Sequence, residues 1–306
     1  MLSLSKHEEV GMRTWLVRTL ALSTGMANVV TRFAPSPTGY LHLGHAHAAL
    51  FAERDAHAAN GTFLLRIEDI DLTRCRPEFE AAIHEDLQWL GVTWTGGVRR
   101  QSDHLDDYRE ALAKLEAMGL IYPCFCTRAD IASAGNAPHG PAMTGPDGPI
   151  YPGTCRVLTA EARAKRIAGG NAYALRLDME KAIEQTGALT WRDLDEGLVT
   201  AAPEVFGDVV LARKDTPTSY HLSVTHDDHL QGVTLVTRGE DLRAATHVHR
   251  VLQALLGYAT PDYRFHPLLT DATGRRLAKR DHAETLRSLR DSGKSPAAVR
   301  VLAGFS

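Results

Sequence analysis

The chain has 306 residues, of which 44% are hydrophobic and 23% charged, the composition of an ordinary globular protein with a sizeable core. No low-complexity tract or repeat period occurs, which excludes disordered, collagen-like and coiled-coil proteins. No run of about 18 apolar residues occurs either, so we expect no membrane span. The formal net charge of −3 provides no global basic field, so any nucleic-acid contact must be local.

The hydrophobic patterns predict an α/β fold. In chain order they indicate strands over 29–33, 62–67, 172–177, 208–212 and 233–237 and helices over 45–60, 78–90, 103–118 and 241–256. The first strand, helix and strand form a parallel βαβ unit, in which ligands bind at the carboxyl ends of the strands. Ser102 is the expected N-cap of the third helix, and Gly119 is its expected end. The Gly/Pro-rich stretch 135–153 indicates an insertion or a functional loop.

Residues 32–45 carry the most informative motif, Arg-Phe-Ala-Pro-Ser-Pro-Thr-Gly-Tyr-Leu-His-Leu-Gly-His. A helix N-terminus attracts anions, a glycine lets a phosphate approach the backbone, and imidazole N–H groups donate to phosphoryl oxygens. We therefore predict a nucleoside triphosphate site, with His42 and His45 catalytic and with His42, Gly44 and His45 contacting ATP. For a lone motif of this kind, ordinary helix-capping histidines would be the alternative. Neither a P-loop nor a dinucleotide fingerprint is present.

This tract resembles the signature of the class I glutamyl-tRNA synthetases. Glutaminyl enzymes tend to carry Glu and Asn where this chain has Ser36 and Thr38. Four further segments resemble later motifs of the family in the expected order, namely 65–74, 218–222, 237–242 and 276–280. The resemblance implies a Rossmann-like parallel sheet with an inserted, zinc-bearing α/β connective subdomain and a short helical C-terminal stem.

Five regions follow from this organisation. They are a disordered lead-in or mis-assigned start (1–28), the first half of the catalytic domain (29–120), the inserted subdomain (121–200), the second half of the catalytic domain (201–270), and a KMSKS-like loop with a C-terminal stem (271–306). Only 25 residues follow the basic loop 274–281, so no anticodon-binding domain is expected.

A glutamate site needs cations or donors for two carboxylates and an acid for one ammonium group. The candidate glutamate-binding residues are Arg32, Ala34, Ser36, Glu68, Tyr220 and Arg238. We expect Glu68 to take the ammonium group, while the arginines and Tyr220 serve the carboxylates. Surface ion pairs for the charged residues, and simple ring packing for Tyr220, are the alternatives. For Asp69 and Asp71, caps on local backbone are favoured over a magnesium site.

Lys279 stands where the family's second KMSKS lysine belongs, and the resemblance implies that it meets the ATP phosphates together with Mg²⁺. Arg276 and Ala278 depart from the pattern, so the loop keeps its charge and loses one hydroxyl. The segment 271–300 holds eight Lys/Arg against four Asp/Glu, a net charge of +4, and is the best candidate for contacting RNA. A solvated helix face is its alternative.

The four cysteines are too few for a disulfide framework, which favours a reducing cytoplasm. Truncated members of the family carry a zinc site of the form Cys-x-Cys…Tyr-x-x-x-Cys, which the resemblance transfers to Cys124, Cys126, Tyr151 and Cys155. His139 is the alternative fourth ligand, and three structural thiols are the alternative to any zinc site. Cys75 has no companion and is expected to be a plain thiol.

The resemblance to those truncated members also implies the reaction. ATP activates L-glutamate to glutamyl-AMP without tRNA, and the glutamyl group passes to the queuosine base in the anticodon of tRNA(Asp), whose anticodon stem-loop enters the catalytic cleft. One alternative is a truncated conventional synthetase that charges the tRNA 3′ end. Another is a non-catalytic module that binds tRNA or an amino acid. We expect a cytoplasmic monomer.

Overall fold

The computed structural model describes residues 28–135, 144–269 and 284–305. The strands are β1 Val30–Phe33, β2 Thr62–Ile67, β3 Arg99–Arg100, β4 Ile121–Cys124, β5 Thr144–Gly145, β6 Gly148–Pro149, β7 Ala174–Leu177, β8 Thr190–Asp193, β9 Gly197–Thr200, β10 Val210–Ala212, β11 Leu235–Gly239 and β12 Asp262–His266. The helices are α1 Leu43–Ala58, α2 Pro77–Trp89, α3 Leu105–Ala117, α4 Arg128–Gly135, α5 Ala160–Ala168, α6 Met179–Thr186, α7 Tyr220–Leu230, α8 Ala245–Leu256, α9 Leu286–Asp291 and α10 Pro296–Leu302. None of these ten helices combines the length and the apolarity needed to cross a bilayer.

Parallel strands form the centre of the fold. β1 pairs in parallel with β2, and β2 with β3; β11 pairs in parallel with β12, and β12 with β8. A backbone hydrogen bond of 3.0 Å from Thr234 N to Val30 O joins the two groups of strands at β1. The predicted parallel pairing of the first two strands is confirmed, and α1 connects them as the crossover helix.

A second, antiparallel sheet of order β10-β7-β4 begins in the region predicted as an insertion. The hairpin β5-β6 follows α4 in chain order. β8 and β9 also lie within residues 121–200, yet β8 pairs with β12 and so extends the parallel sheet. The division into five regions stays a prediction, and its first region lies outside the described residues apart from Asn28.

Two large apolar cores hold the helices and strands together. One joins β1 and β2 to α1, α2, α9 and α10, with Leu50, Leu65 and Ile83 at its centre. The other joins α3, α6, α7 and α8 through residues such as Leu115 and Leu252.

The start of α3 corrects one local prediction. His104, not Ser102, is the N-cap of this helix, because residues 101–104 form a 3₁₀ turn first. Ser102 instead uses its backbone N–H and its hydroxyl to bind the carboxylate of Asp69, at 2.9 and 2.6 Å. Gly119 follows the helix with φ of +71°, a left-handed conformation that glycine adopts without strain, as predicted.

Candidate active site

The nucleotide-binding motif lies where β1 ends and α1 begins. His42 caps the helix: its Nδ1 accepts a hydrogen bond from the backbone N–H of Gly44 at 3.1 Å. Nδ1 of His45 accepts from the backbone N–H of His42 at 3.2 Å, and the ring centroids are 3.9 Å apart. Because both Nδ1 atoms accept, the proton of each neutral ring is on Nε2. The backbone contacts at the start of α1 therefore use Nδ1 and not Nε2 of these rings.

One cavity of about 250 Å³ collects most of the predicted site. Its lining includes eight of the nine candidate ATP-site and glutamate-site residues that lie in the described part of the chain, namely Arg32, Ala34, His42, Gly44, His45, Glu68, Tyr220 and Arg238. The ninth, Ser36, lines a neighbouring cavity that shares Glu68 and Tyr220 with the first. Lys279, Arg276 and Ala278 lie outside the described residues.

Arg32 lines the cavity, but an internal carboxylate balances its charge. Its Nε and Nη2 donate to the two oxygens of Asp228 at 2.9 and 3.2 Å, and its Nη1 donates to the backbone oxygen of Thr237 at 3.1 Å. Asp228 also accepts from Nη1 of the fully buried Arg66 at 2.9 Å. Burial alone would raise the pKa of Asp228, but the charges of the two arginines outweigh burial and lower this pKa. Arg32 therefore keeps two of its five N–H groups for a ligand.

Arg238 differs, because only neutral groups hold it. Nη1 donates to Nδ1 of His249 at 3.1 Å, and Nη2 donates to Oγ1 of Thr246. The guanidinium also lies over the rings of Tyr263 and Phe265, 5.5 and 5.7 Å from their centroids. Among the described residues no carboxylate lies within salt-bridge distance of this guanidinium. Glu68 and Asp241 line the same cavity, but neither forms an ion pair with Arg238 in that part of the chain.

Glu68 supplies negative charge to the same cavity. It follows β2, and its carboxylate accepts from Nη2 of Arg66 at 3.3 Å. Burial raises the pKa of Glu68 above its ordinary value, while the charges of Arg66 and Arg32 oppose the increase. The Tyr220 hydroxyl has a raised pKa for the same principal reason, so it stays protonated and can donate. The cavity therefore offers three groups to one ligand: a guanidinium with no carboxylate partner among the described residues, a donor hydroxyl and a carboxylate.

Sequence reasoning missed the residues that position this site. Asp228 and Arg66 come from α7 and β2, 162 residues apart, and their ion pair is fully enclosed. Asp227 is also buried and accepts from Gln101 and Tyr108 at 2.8 and 2.9 Å. The sequence offered one signal for these residues. Asp227 and Asp228 are adjacent in a helix that is otherwise packed in the core, and buried carboxylates require partners.

Asp69 and Asp71 have structural roles, but neither caps local backbone as favoured from the sequence. Asp69 binds Ser102, as described above. Asp71 accepts from the Thr73 hydroxyl at 2.6 Å and from Nε of Arg74 at 2.7 Å. These contacts, led by the Thr73 hydrogen bond, lower the pKa of Asp71 to about 2. Both carboxylates organise the loop after β2.

The three cysteines predicted to bind metal meet in space. The sulfur atoms of Cys124, Cys126 and Cys155 all lie within 4.8 Å of one another. The Tyr151 hydroxyl is 3.7 Å from Sγ of Cys126 and accepts from the backbone N–H of Cys155 at 2.7 Å. The backbone N–H of Phe125 donates to Sγ of Cys155 at 3.4 Å. Three sulfurs and one oxygen at this spacing fit the first shell of a tetrahedral zinc ion.

Two further predictions near this theme concern His139 and Cys75. His139 lies outside the described residues. Cys75 is half-buried, and burial raises the pKa of its thiol, which disfavours the reactive thiolate. Cys75 therefore matches the expectation of a plain thiol.

Comparison with known proteins gives the same family as the motifs. Residues 28–303 match the family model described as the catalytic domain of the class I tRNA synthetases for E and Q, glutamate and glutamine. The chain belongs to this family. The resemblance drawn from the five motifs is confirmed, and so is the α/β class I catalytic fold with its parallel sheet.

Curated relatives of this family member cover nearly its whole length. A glutamyl-Q tRNA(Asp) synthetase of Rhodobacter capsulatus is 51% identical over 281 residues, which are 90% of this chain and 100% of the relative. A protein of the same name from Symbiobacterium thermophilum is 43% identical, over 88% of this chain and 83% of the relative. A crystal structure of glutamate-tRNA synthetase from Elizabethkingia anophelis superposes with a TM-score of 0.77 at 26% identity, over 90% of this chain and 61% of that chain. The chain thus spans about three fifths of that solved synthetase.

Proposed function

We propose that this synthetase family member activates L-glutamate with ATP and transfers the glutamyl group to the queuosine base in the anticodon of tRNA(Asp). The observation that carries glutamate recognition is that Arg238, which pairs with no carboxylate of the described residues, faces the same cavity as the carboxylate of Glu68. A dicarboxylic amino acid matches this pair of charges at both ends. The relatives named glutamyl-Q tRNA(Asp) synthetase support the acceptor.

Activation begins with glutamate oriented by its charges. Arg238 and Tyr220 hold the side-chain carboxylate, and Glu68 holds the ammonium group. The α-carboxylate then attacks the α-phosphate of ATP, which forms glutamyl-AMP and releases pyrophosphate. The Nε2–H groups of His42 and His45 donate to phosphoryl oxygens as negative charge develops on them. Lys279 adds a cation at the phosphates, where Mg²⁺ bound to ATP would supply further positive charge.

Transfer completes the reaction. A hydroxyl of the queuosine ring attacks the carbonyl of glutamyl-AMP, an ester forms, and AMP leaves. The basic segment 271–300 would attract the phosphates of the anticodon stem-loop. ATP and tRNA as substrates support a cytoplasmic location, and we propose that the enzyme acts there as a monomer.

A truncated conventional synthetase is the second candidate, and it differs only in the acceptor. It would esterify the 3′ end and would be indifferent to queuosine. A non-catalytic module would show no reaction at all. ATP–pyrophosphate exchange with glutamate, measured with and without tRNA, tests the activation step: exchange without tRNA supports the proposal, whereas no exchange contradicts catalysis.

We also propose that the cysteine cluster holds a structural zinc ion through Cys124, Cys126, Tyr151 and Cys155. The spacing of the three sulfurs and the tyrosine hydroxyl beside them support this ligand set. Metal analysis of purified protein should find about one zinc per chain. Tyr151→Phe should weaken zinc retention against a chelator, and His139→Ala should not. The reverse result would assign the fourth position to His139.

A further inference from the structure

Behind Arg238 a line of hydrogen bonds runs away from the cavity. Nη1 of Arg238 is 3.1 Å from Nδ1 of His249, whose Nε2 is 3.2 Å from Nδ1 of His221. Nε2 of His221 is 2.9 Å from Oδ2 of Asp147, in the turn between β5 and β6. Arg238 and both histidines are buried, whereas the Asp147 side chain is 62% exposed. The line therefore joins the site to a surface hairpin.

The direction of every hydrogen bond in this line is fixed. A guanidinium has donors only, so Nδ1 of His249 accepts and carries no proton. The single proton of His249 is then on Nε2 and is donated to Nδ1 of His221. His221 in turn carries its proton on Nε2 and donates it to the Asp147 carboxylate. His249 stays neutral, because burial and the adjacent charge of Arg238 hold its pKa well below the usual value.

Because the partners of Arg238 are neutral, they leave its charge available to an anionic ligand. Asp228 fixes Arg32 firmly but cancels its charge, whereas His249 and Thr246 fix Arg238 without adding a negative charge beside it. His249 and Thr246 are three residues apart on α8, so they share one helix face. From this face they accept hydrogen bonds from Nη1 and Nη2 of Arg238, respectively. The only carboxylate of the line, Asp147, stands beyond two rings. Arg238 thus remains available to pair with the carboxylate of a ligand in the cavity.

We propose that His249 is a positioning residue for glutamate specificity, held in the required tautomer by His221 and Asp147, and that it aims Arg238 without neutralising it. This inference rests on the proposed function, since it assigns how the glutamate carboxylate is selected. It also adds a role for the β5-β6 hairpin, which anchors the outer end of the line.

Steady-state ATP–pyrophosphate exchange of the full chain tests this role with separate titrations of glutamate and ATP. His249→Leu removes the acceptor and should lower kcat/KM for glutamate roughly 10-fold to 100-fold, the scale for a lost hydrogen bond to a charged group. KM for ATP should change by less than about twofold, since a charge in the amino-acid half of the cavity does not contact phosphate. His249→Asn offers an amide oxygen near the position of Nδ1 and should restore most of the loss. Asp147→Asn should cost only about twofold to threefold, because its side chain is exposed.

The control is His247→Leu, which removes a histidine from the same helix. His247 accepts from the backbone N–H of Ala202 at 3.2 Å and lines no part of the cavity, so glutamate selectivity should stay unchanged. Unchanged glutamate kinetics in His249→Leu would overturn the proposal. Equal losses for glutamate and ATP without rescue by His249→Asn would also overturn it, because they would indicate a merely structural role.

Nitrogen-15 NMR of labelled histidine separates this inference from the proposed function. Both His249 and His221 should show a neutral ring protonated at Nε2, with signals assigned by the variants at these positions. A proton on Nδ1 of His249 would overturn the positioning role even in an active enzyme. A wild-type protein that shows these tautomers and no glutamate-dependent exchange would refute the proposed function and leave the hydrogen-bond line established.

Discussion

Arg238→Gln tests the charge that selects the amino acid. Three N–H groups of Arg238 remain after His249 and Thr246 are served, enough for a two-pronged contact with a carboxylate. Each charge-assisted hydrogen bond contributes about 1.5–3 kcal/mol, and the glutamine amide would keep one weaker neutral bond of about 1 kcal/mol. The net loss is then about 3 kcal/mol, or roughly 10²-fold in kcat/KM for glutamate.

The assay compares glutamate with glutamine in ATP–pyrophosphate exchange. Wild-type protein should strongly prefer glutamate, because glutamine leaves the buried guanidinium without an anionic partner. In Arg238→Gln the preference should fall by about the same factor of roughly 10², while KM for ATP stays within about twofold. Arg192→Gln is the matched control, because its guanidinium is 61% exposed and pairs with Asp262 at the surface. Normal glutamate activation by Arg238→Gln, or comparable activation of glutamine by the wild type, would refute the reasoning.

Three further predictions concern other parts of the site. Because the pKa of Glu68 is raised, its carboxylate is neutralised at a higher pH than an ordinary one, and KM for glutamate should rise as pH falls through that pKa. Glu68→Gln should flatten this acidic part of the KM–pH profile. A flat wild-type profile in that range would contradict the ammonium contact. Lys279→Ala should lower the rate of adenylate formation roughly 10²-fold with little change in glutamate affinity, and near-normal exchange would show that another cation meets the phosphates. Asp228→Asn should lower the free energy of unfolding by about 3–5 kcal/mol, because it leaves the buried Arg32 and Arg66 short of negative charge, and a thermal melt like that of the wild type would contradict this network.

Local structure was largely readable from the sequence, because short-range patterns determine it. The strand predicted over 62–67 has those bounds in the structure, and the helix predicted over 78–90 lies at 77–89. Gly257 ends α8 in the left-handed conformation, where a glycine after a periodic run signals a helix end. Ser102 was misassigned because its partner, Asp69, is 33 residues away and outcompetes the local cap.

For the candidate site, too, residue types were predictable from the sequence and long-range contacts were not. Motif residues such as Arg32 and Arg238 were identifiable by type, and the structure brings both to one cavity. The difference between them was not identifiable, since it depends on whether Asp228 or His249 lies behind each guanidinium. Which charges pair across 196 residues of chain is a property of the fold, not of spacing. The sequence therefore predicted the components of the glutamate site and not its electrostatic balance.

One charging measurement tests most directly whether the queuosine base is the acceptor of the glutamyl group. The substrate is a synthetic anticodon stem-loop of tRNA(Asp), which has no 3′ acceptor end, prepared with queuosine or with guanosine at the modified position. With radiolabelled glutamate and ATP, the proposal predicts label on the queuosine stem-loop and none on the guanosine form. Label that requires full-length tRNA and is equal with and without queuosine would contradict the proposal and indicate a conventional 3′-end synthetase.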